Sequence, residues 1–315
     1  MNSVITVENL FKQYDKAKKP SVDNISFNVG EGEFFALLGP NGAGKTTTIS
    51  ILTTTLNKTS GNINIAGYDL DKEAKKVREE IGIIFQKPSL DESLSAEENI
   101  RLHCCLYGLY SYKPFFRMMP TSYKNRIMEL AEIVGIKDSI FKRLSTFSGG
   151  MQRKLEIVRS LMHNPKILFL DEPTQGLDAV SRRSLWDYLN KVRKENGSTI
   201  FLTTHYLDEA ESVDRVCIVD KGRIALLGSP EAMKEKLLRN EIILDSDNPK
   251  ELEKELINMG LKVNRDNHLT VTYKNRTPQQ IISNLKTRLT LLKIHEPSLE
   301  DAYIHFLKQN GGELI

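Results

Sequence analysis

The apolar positions open in short, β-rich runs. Residues 4–7, 25–29 and 34–38 read as strands, and the last is an unbroken apolar run, as in a strand covered on both faces. That run leads into a glycine-rich segment and then a Thr-rich one that reads as a helix start. Residues 63–65 and 81–85 predict further strands. From about residue 93 to 163 the pattern turns helical. Ser95 with Glu98 has the spacing of a capping box, Thr121 or Ser122 can cap the next helix, and Gly135 would end it. Buried-type strands follow at 167–170, 199–202 and 215–219, separated by helices, with a tight turn at Asp220-Lys221-Gly222.

A second region begins near residue 230, where Ser229-Pro230 signals a helix start. From Glu241 the order reads strand, helix (249–259), strand, strand (269–273), helix capped by Thr277, strand (290–294). This βαββαβ order is the split-βαβ, ferredoxin-like arrangement, and a last helix capped by Ser298 closes the chain. The reading is a domain over residues 1–230, its helical part at about 90–163, and an accessory domain over 240–315.

Bulk composition narrows the classes. The 315 residues exceed one ordinary domain, and 40% hydrophobic with 27% charged residues is a normal globular balance. A formal charge of +3 lacks the concentrated basic excess of a nucleic-acid binder, so no nucleic-acid partner is expected. Three cysteines without metal-ligand spacing argue against a disulfide framework or a zinc site and fit a reducing compartment. The N-terminus lacks the apolar core of a signal peptide, and no apolar run approaches the ~20 residues needed to cross a bilayer.

The chemistry concentrates in three places. Gly39-Pro40-Asn41-Gly42-Ala43-Gly44-Lys45-Thr46 satisfies G-x-x-x-x-G-K-[ST]. Its glycines let backbone N–H groups wrap a phosphate, and the following helix adds its positive N-terminal end. Lys45 would reach the β- and γ-phosphates and Thr46 would ligate Mg²⁺, which points to ATP with Mg²⁺. The run 167–170 ends in Asp171 and Glu172. Asp171 is the expected Mg²⁺ holder and Glu172 the expected general base for an attacking water. Ser148-Gly149-Gly150 opens an amphipathic helix and forms a second anion-ready N-terminus. One triphosphate does not need two such sites, so the economical reading is that this one serves the nucleotide of a second copy.

Taken in order, these residues resemble the nucleotide-binding subunit of an ABC transporter over roughly residues 4–230. GPNGAGKT resembles its Walker A, Gln86 in GIIFQ its Q-loop glutamine, and FSGGM (147–151) its signature. ILFLDE resembles Walker B, Gln175 to Asp178 the D-loop, and His205 in LTTHY the switch histidine. Tyr14 stands where the family stacks an aromatic on adenine. The resemblance implies a P-loop α/β fold with a mixed sheet core, an antiparallel β subdomain and a helical subdomain. It also implies that Gln86 contacts Mg²⁺ or water, that His205 contacts the γ-phosphate, and that Thr47 and Asp178 belong to the nucleotide site. Met151 stands where the commonest signature has Gln, and Gln175 replaces a small polar residue. The first variant, with Gln152-Arg153-Lys154 after it and Glu296 to Ala302 near the end, resembles the ABC-2 type subfamily of drug-resistance and sodium-export subunits.

The implied protein is the ATPase subunit of an exporter. It would pair with a second copy or a homologous cassette and drive a separate polytopic permease from the cytoplasmic face of the membrane. Tyr110, Phe115, Phe116, Met118 and Met119 lie where such subunits touch their membrane partner, although core packing would explain them equally. A soluble ABC ATPase of DNA maintenance or translation is the alternative. It is disfavoured by the absence of an inserted coiled coil, a second cassette or cysteine clusters. Intact Glu172 and His205 disfavour a non-hydrolysing regulator.

Overall fold

A computed structural model describes all residues except 1, 87–88, 238–239, 266, 274–275, 296–297 and 310–315. Glu296 and Pro297 of the subfamily-like ending therefore lie outside the described residues. The chain divides into two compact units. One holds residues 1–206 and 213–227, the other 207–212 and 228–315.

The first unit is built on two sheets. In the six-stranded sheet, Phe34–Leu38 is flanked by Arg215–Asp220 on one side and Thr199–Thr204 on the other, followed by Ile167–Asp171 and Ile81–Ile84. These five strands are mutually parallel, and Arg223–Gly228 sits at the outer edge beside Arg215–Asp220. All five residues of Phe34–Leu38 and of Ile167–Asp171 are buried, as their unbroken apolar runs require. The four-stranded sheet is antiparallel. It sets Ser3–Lys12 between Val22–Gly30 and Ser60–Ile65, with the short Tyr68–Asp69 at its edge. The alternation of Val22–Gly30 sends Val22, Ile25, Phe27 and Val29 inward, where Phe27 stacks on Phe35 at 5.5 Å between ring centroids. One apolar core thus joins the two sheets.

Helices complete the unit. Lys45–Leu52 leaves the glycine-rich loop, and Ala179–Asn196 packs Trp186 onto Phe34. The helical part holds Ala96–Leu106, Thr121–Ile133 and Gly149–Leu161. Ser95 and Glu98 form the expected reciprocal capping box. The second helix corrects the expectation. Pro120, not Thr121 or Ser122, occupies the N-cap, and no side chain caps the helix. Its φ of −56° and ψ of 151° deliver the chain directly into the first turn, so the hydroxyl residues begin the helix instead of preceding it.

In the second unit, the strands Asn240–Ser246, Lys262–Arg265, Leu269–Tyr273 and Leu289–His295 form an antiparallel sheet. The first strand lies between the third and the fourth, and the second is outermost beside the third. That order is the ferredoxin-like one. Leu252 and Leu256 of Pro249–Asn258 and Ile281 of Pro278–Ile282 cover its core. Ser298 accepts from the Asp301 backbone N–H at the start of Leu299–Gln309. That helix packs on Pro230–Leu237 and Leu207–Ala210.

Candidate nucleotide and hydrolysis site

The glycine-rich loop follows the C-terminal end of Phe34–Leu38, the usual position for a ligand in a parallel sheet. Gly44 is the N-cap of the next helix and has φ +107°, a conformation that side chains resist. A Cβ there would stand 2.4 Å from the Ser21 carbonyl oxygen. The loop is fastened from outside as well, since the Gly222 N–H donates to the Ala43 carbonyl at 3.0 Å. Asn41, Gly42 and Thr46 face solvent, while Lys45 is 4% exposed and donates to the Gly39 and Pro40 carbonyls at 2.7 and 3.2 Å. Tyr14 is half-exposed, with its hydroxyl 3.4 Å from Thr47 Oγ1 on the first helical turn after the loop.

Asp171 ends its strand in the register position of Thr203 on the neighbouring strand. Thr203 Oγ1 donates to Asp171 Oδ1 at 2.5 Å and accepts from the Glu172 N–H at 3.1 Å. The Glu172 N–H also reaches the Thr203 carbonyl at 3.1 Å, and Glu172 has φ +46°. Thr203 thereby holds both carboxylate residues in place, one through its side chain and the other through its backbone.

Around the Glu172 carboxylate, three sequence-expected residues converge. Lys45 Nζ is 3.7 Å from Oε1, and Gln86 Nε2 donates to Oε2 at 3.4 Å and to Gln175 Oε1 at 2.9 Å. His205 Nδ1 lies 3.3 Å from Oε2 without the alignment of a hydrogen bond. Burial dominates the electrostatics. It lowers the Lys45 pKa against the opposing pull of Glu172 and Asp171. It also raises that of Asp171, where the Thr203 hydrogen bond and the Lys45 and Arg153 charges pull the other way.

Among the described residues, no group of three or more His, Cys, Asp or Glu could hold a metal by itself. A Thr hydroxyl, one buried carboxylate and a phosphate cradle instead form the sparse donor set that suits Mg²⁺. A cation beside Asp171 would also oppose the burial that raises its pKa, so these residues fit the ion.

Ser148 caps Gly149–Leu161 by accepting from the Met151 N–H. Ser148 and Gly149 are exposed, and a Cβ on Gly150 would meet Ser181 Oγ and Leu177. The loop at residues 39–46 instead neighbours Ser21, Val219 and Gly222, so the two anion-ready termini have separate surroundings. Asp178 is the N-cap of Ala179–Asn196 and accepts from the Val180 and Ser181 N–H groups and from Ser181 Oγ.

Sequence reasoning missed Arg153. It is 6% exposed, and its guanidinium donates to the carbonyls of Phe85, Asp171 and Pro173 and to Glu156. The available signal was the row Arg153, Glu156 and Arg159 on the buried side of an amphipathic helix.

Comparison with known proteins adds relationship to this geometry. The family model for the ABC transporter matches residues 22–175. The chain is 38% identical over 241 residues to a linearmycin resistance ATP-binding protein of Bacillus subtilis, covering 76% of this chain and 74% of that one. It is 32% identical over 314 residues to a Nod factor export ATP-binding protein of Burkholderia pseudomallei, covering 99% and 98%. Among solved structures it is similar to a dimeric ATP-binding cassette in a post-hydrolysis state with ADP and Pi, with a TM-score of 0.64 and 26% identity over 71% of this chain and 98% of that one. It is also similar to an ATP-binding subunit of an ABC transporter, with a TM-score of 0.65 and 29% identity over 74% and 93%.

Proposed function

The chain belongs to the ABC transporter family, as an ATP-binding, ATP-hydrolysing cassette, and on that premise we propose that it is the motor subunit of an ABC-2 type exporter. The observation that carries the catalytic part is the convergence of Lys45, Gln86 and His205 on the buried carboxylate of Glu172, at the end of the strand that bears Asp171.

In this reading the backbone N–H groups of residues 39–46 cradle the phosphates of ATP, and Tyr14 covers the adenine. Lys45 turns from the Gly39 and Pro40 carbonyls to the β- and γ-phosphates. Thr46, Asp171 and Gln86 would hold Mg²⁺, which would supply charge neutralisation at the phosphates. Glu172 accepts a proton from the attacking water as the water oxygen bonds to the γ-phosphorus. The bond to the β-phosphate oxygen breaks, giving ADP and phosphate. Gln86 and His205, on opposite flanks of Glu172, orient that water. The φ of +46° at Glu172 is strain at a functional position, held by both Thr203 hydrogen bonds.

Ser148, Gly149 and Gly150 then close over the nucleotide of a second copy or a homologous cassette. The exposure of Ser148 and Gly149, and surroundings separate from those of residues 39–46, support this assignment. ATP favours the closed pair because it binds both halves, and hydrolysis removes that differential affinity. A polytopic permease would receive the motion from this subunit, seated at the cytoplasmic face of the membrane. No described helix of this chain is long and apolar enough to cross a bilayer. The exposed Leu102, Leu106, Tyr107, Tyr112, Phe115 and Met118 of the helical part support a contact of that kind. Export follows from the similarity to resistance and export ATP-binding proteins.

Glu172→Gln tests the assignment. ATP binding is retained, turnover falls ~10²–10⁴-fold, and an ATP-bound dimer accumulates on size exclusion. Near-normal hydrolysis by this variant refutes the role given to Glu172.

A further inference from the structure

We propose that Arg153 is a positioning residue that couples a chain's own hydrolysis site to the Ser148–Gly150 terminus it offers to a second nucleotide. The inference rests on the two-copy reading above.

Arg153 lies one turn beyond the exposed terminus on helix Gly149–Leu161. Its Nε donates to the Pro173 carbonyl at 3.0 Å, and Nη2 to the Asp171 carbonyl at 3.3 Å. Those carbonyls bracket Glu172 in the chain. Nη1 donates to the Phe85 carbonyl, immediately before Gln86, and to Glu156 Oε2 at 2.9 Å. One rigid fork therefore grips the backbone beside Asp171, Glu172 and Gln86 at once.

The same helix also holds Ser89. Glu156, fully buried, accepts from the Ser89 N–H at 3.2 Å and lies 3.6 Å from Arg159. Arg159 donates to the Ser89 carbonyl and hydroxyl at 2.6 and 2.8 Å. A shift of residues 171–173, of Phe85 or of Ser89 must either carry the helix along or break charged hydrogen bonds in a buried setting. Breaking one such partnership is costly because it leaves a buried charge uncompensated. Carrying the helix moves Ser148 to Gly150. Close packing along that path favours movement of whole elements over gradual deformation.

A merely stabilising Arg153 would give the same contacts, so the test needs a readout that stability does not move. Arg153→Lys keeps a charge opposite Glu156 but cannot span three carbonyls. In the full-length protein, binding of a fluorescent ATP analogue at dilution is expected to be unchanged. In a Glu172→Gln background, ATP-driven dimerisation is expected to persist. The parent is expected to show a sigmoidal dependence of turnover on ATP and Arg153→Lys a hyperbolic one, with turnover at saturation lower by about 3- to 30-fold. Retained sigmoidal kinetics in the folded variant overturn the proposal, as does a parent without cooperativity. If Arg153→Lys does not fold, the double variant Arg153→Met with Glu156→Gln removes both charges, and the same kinetics decide. Failure of the Glu172→Gln single variant to dimerise with ATP refutes the two-copy reading instead, and the coupling proposal with it.

Discussion

Thr203→Val should move the acid limb of the ATPase pH profile upward by about one to two units. Thr203 is fully buried, and its hydroxyl donates to the 6%-exposed Asp171 at 2.5 Å. Valine keeps the branched shape and removes only the hydroxyl. The Glu172 N–H keeps its bond to the residue 203 carbonyl, so the strained backbone at Glu172 stays anchored. A hydrogen bond to a charged group contributes about 1.5–3 kcal/mol, and one pKa unit corresponds to about 1.36 kcal/mol. Because the lost donor stabilises only the ionised carboxylate, the Asp171 pKa rises. Burial raises that pKa in the free chain, a bound cation would oppose the rise, and loss of the Thr203 donor shifts it upward in either case. Glu172 reinforces that rise, while Lys45 and Arg153 oppose it. If turnover needs ionised Asp171, activity is lost as pH falls, and in the variant that loss begins at higher pH. The assay is kcat against pH at saturating ATP and Mg²⁺, with Thr203→Ser as the control that keeps the hydroxyl. A folded Thr203→Val protein with an unmoved acid limb would refute the assignment of Asp171 as an ionised participant.

Three further outcomes test separate parts of the site. Gly44→Ala imposes a side chain at φ +107° and 2.4 Å from the Ser21 oxygen, and should weaken ATP-analogue binding by about fivefold to a hundredfold in a fluorescence titration, through strain of about 1–3 kcal/mol. Ser148→Arg should block ATP-dependent dimerisation on size exclusion while single-chain ATP binding survives. Because Ser148 also caps its helix, Ser148→Ala serves as the comparison, losing about 0.5–2 kcal/mol in chemical denaturation. Glu98 has its pKa held below the ordinary carboxylate value, first by the Ser95 N–H and then by the Ser95 hydroxyl. Its contribution to stability is therefore present above the unfolded-state pKa and lost as pH falls through the folded one. Melting temperatures followed from neutral to pH ~3 should show a shallower acid decline in Glu98→Gln than in the parent.

Much of this protein is readable from neighbouring residues. The unbroken apolar run 34–38 matches the strand Phe34–Leu38, and the Ser95–Glu98 box appears as spaced, because burial on both faces and cap chemistry are written within a few residues. The glycine-rich loop is local in the same sense: φ +107° at Gly44 is a property of one position. The Pro120 cap shows the limit even there, since two hydroxyl residues offered a cap and the backbone shape of the proline took the place.

What only the tertiary structure decided is which groups meet. Placing Phe34–Leu38, Thr199–Thr204, Ile167–Asp171 and Ile81–Ile84 side by side brings Lys45, His205, Glu172 and Gln86 to one end of one sheet. Thr203 reaches Asp171 for the same reason. Arg153 is the clearest case: by sequence it is one of two cations in the three residues after the signature, and by structure it holds three carbonyls from two distant segments. Periodicity assigns a residue to a face of its own element. Strand order and helix packing, which are non-local, set what that face touches.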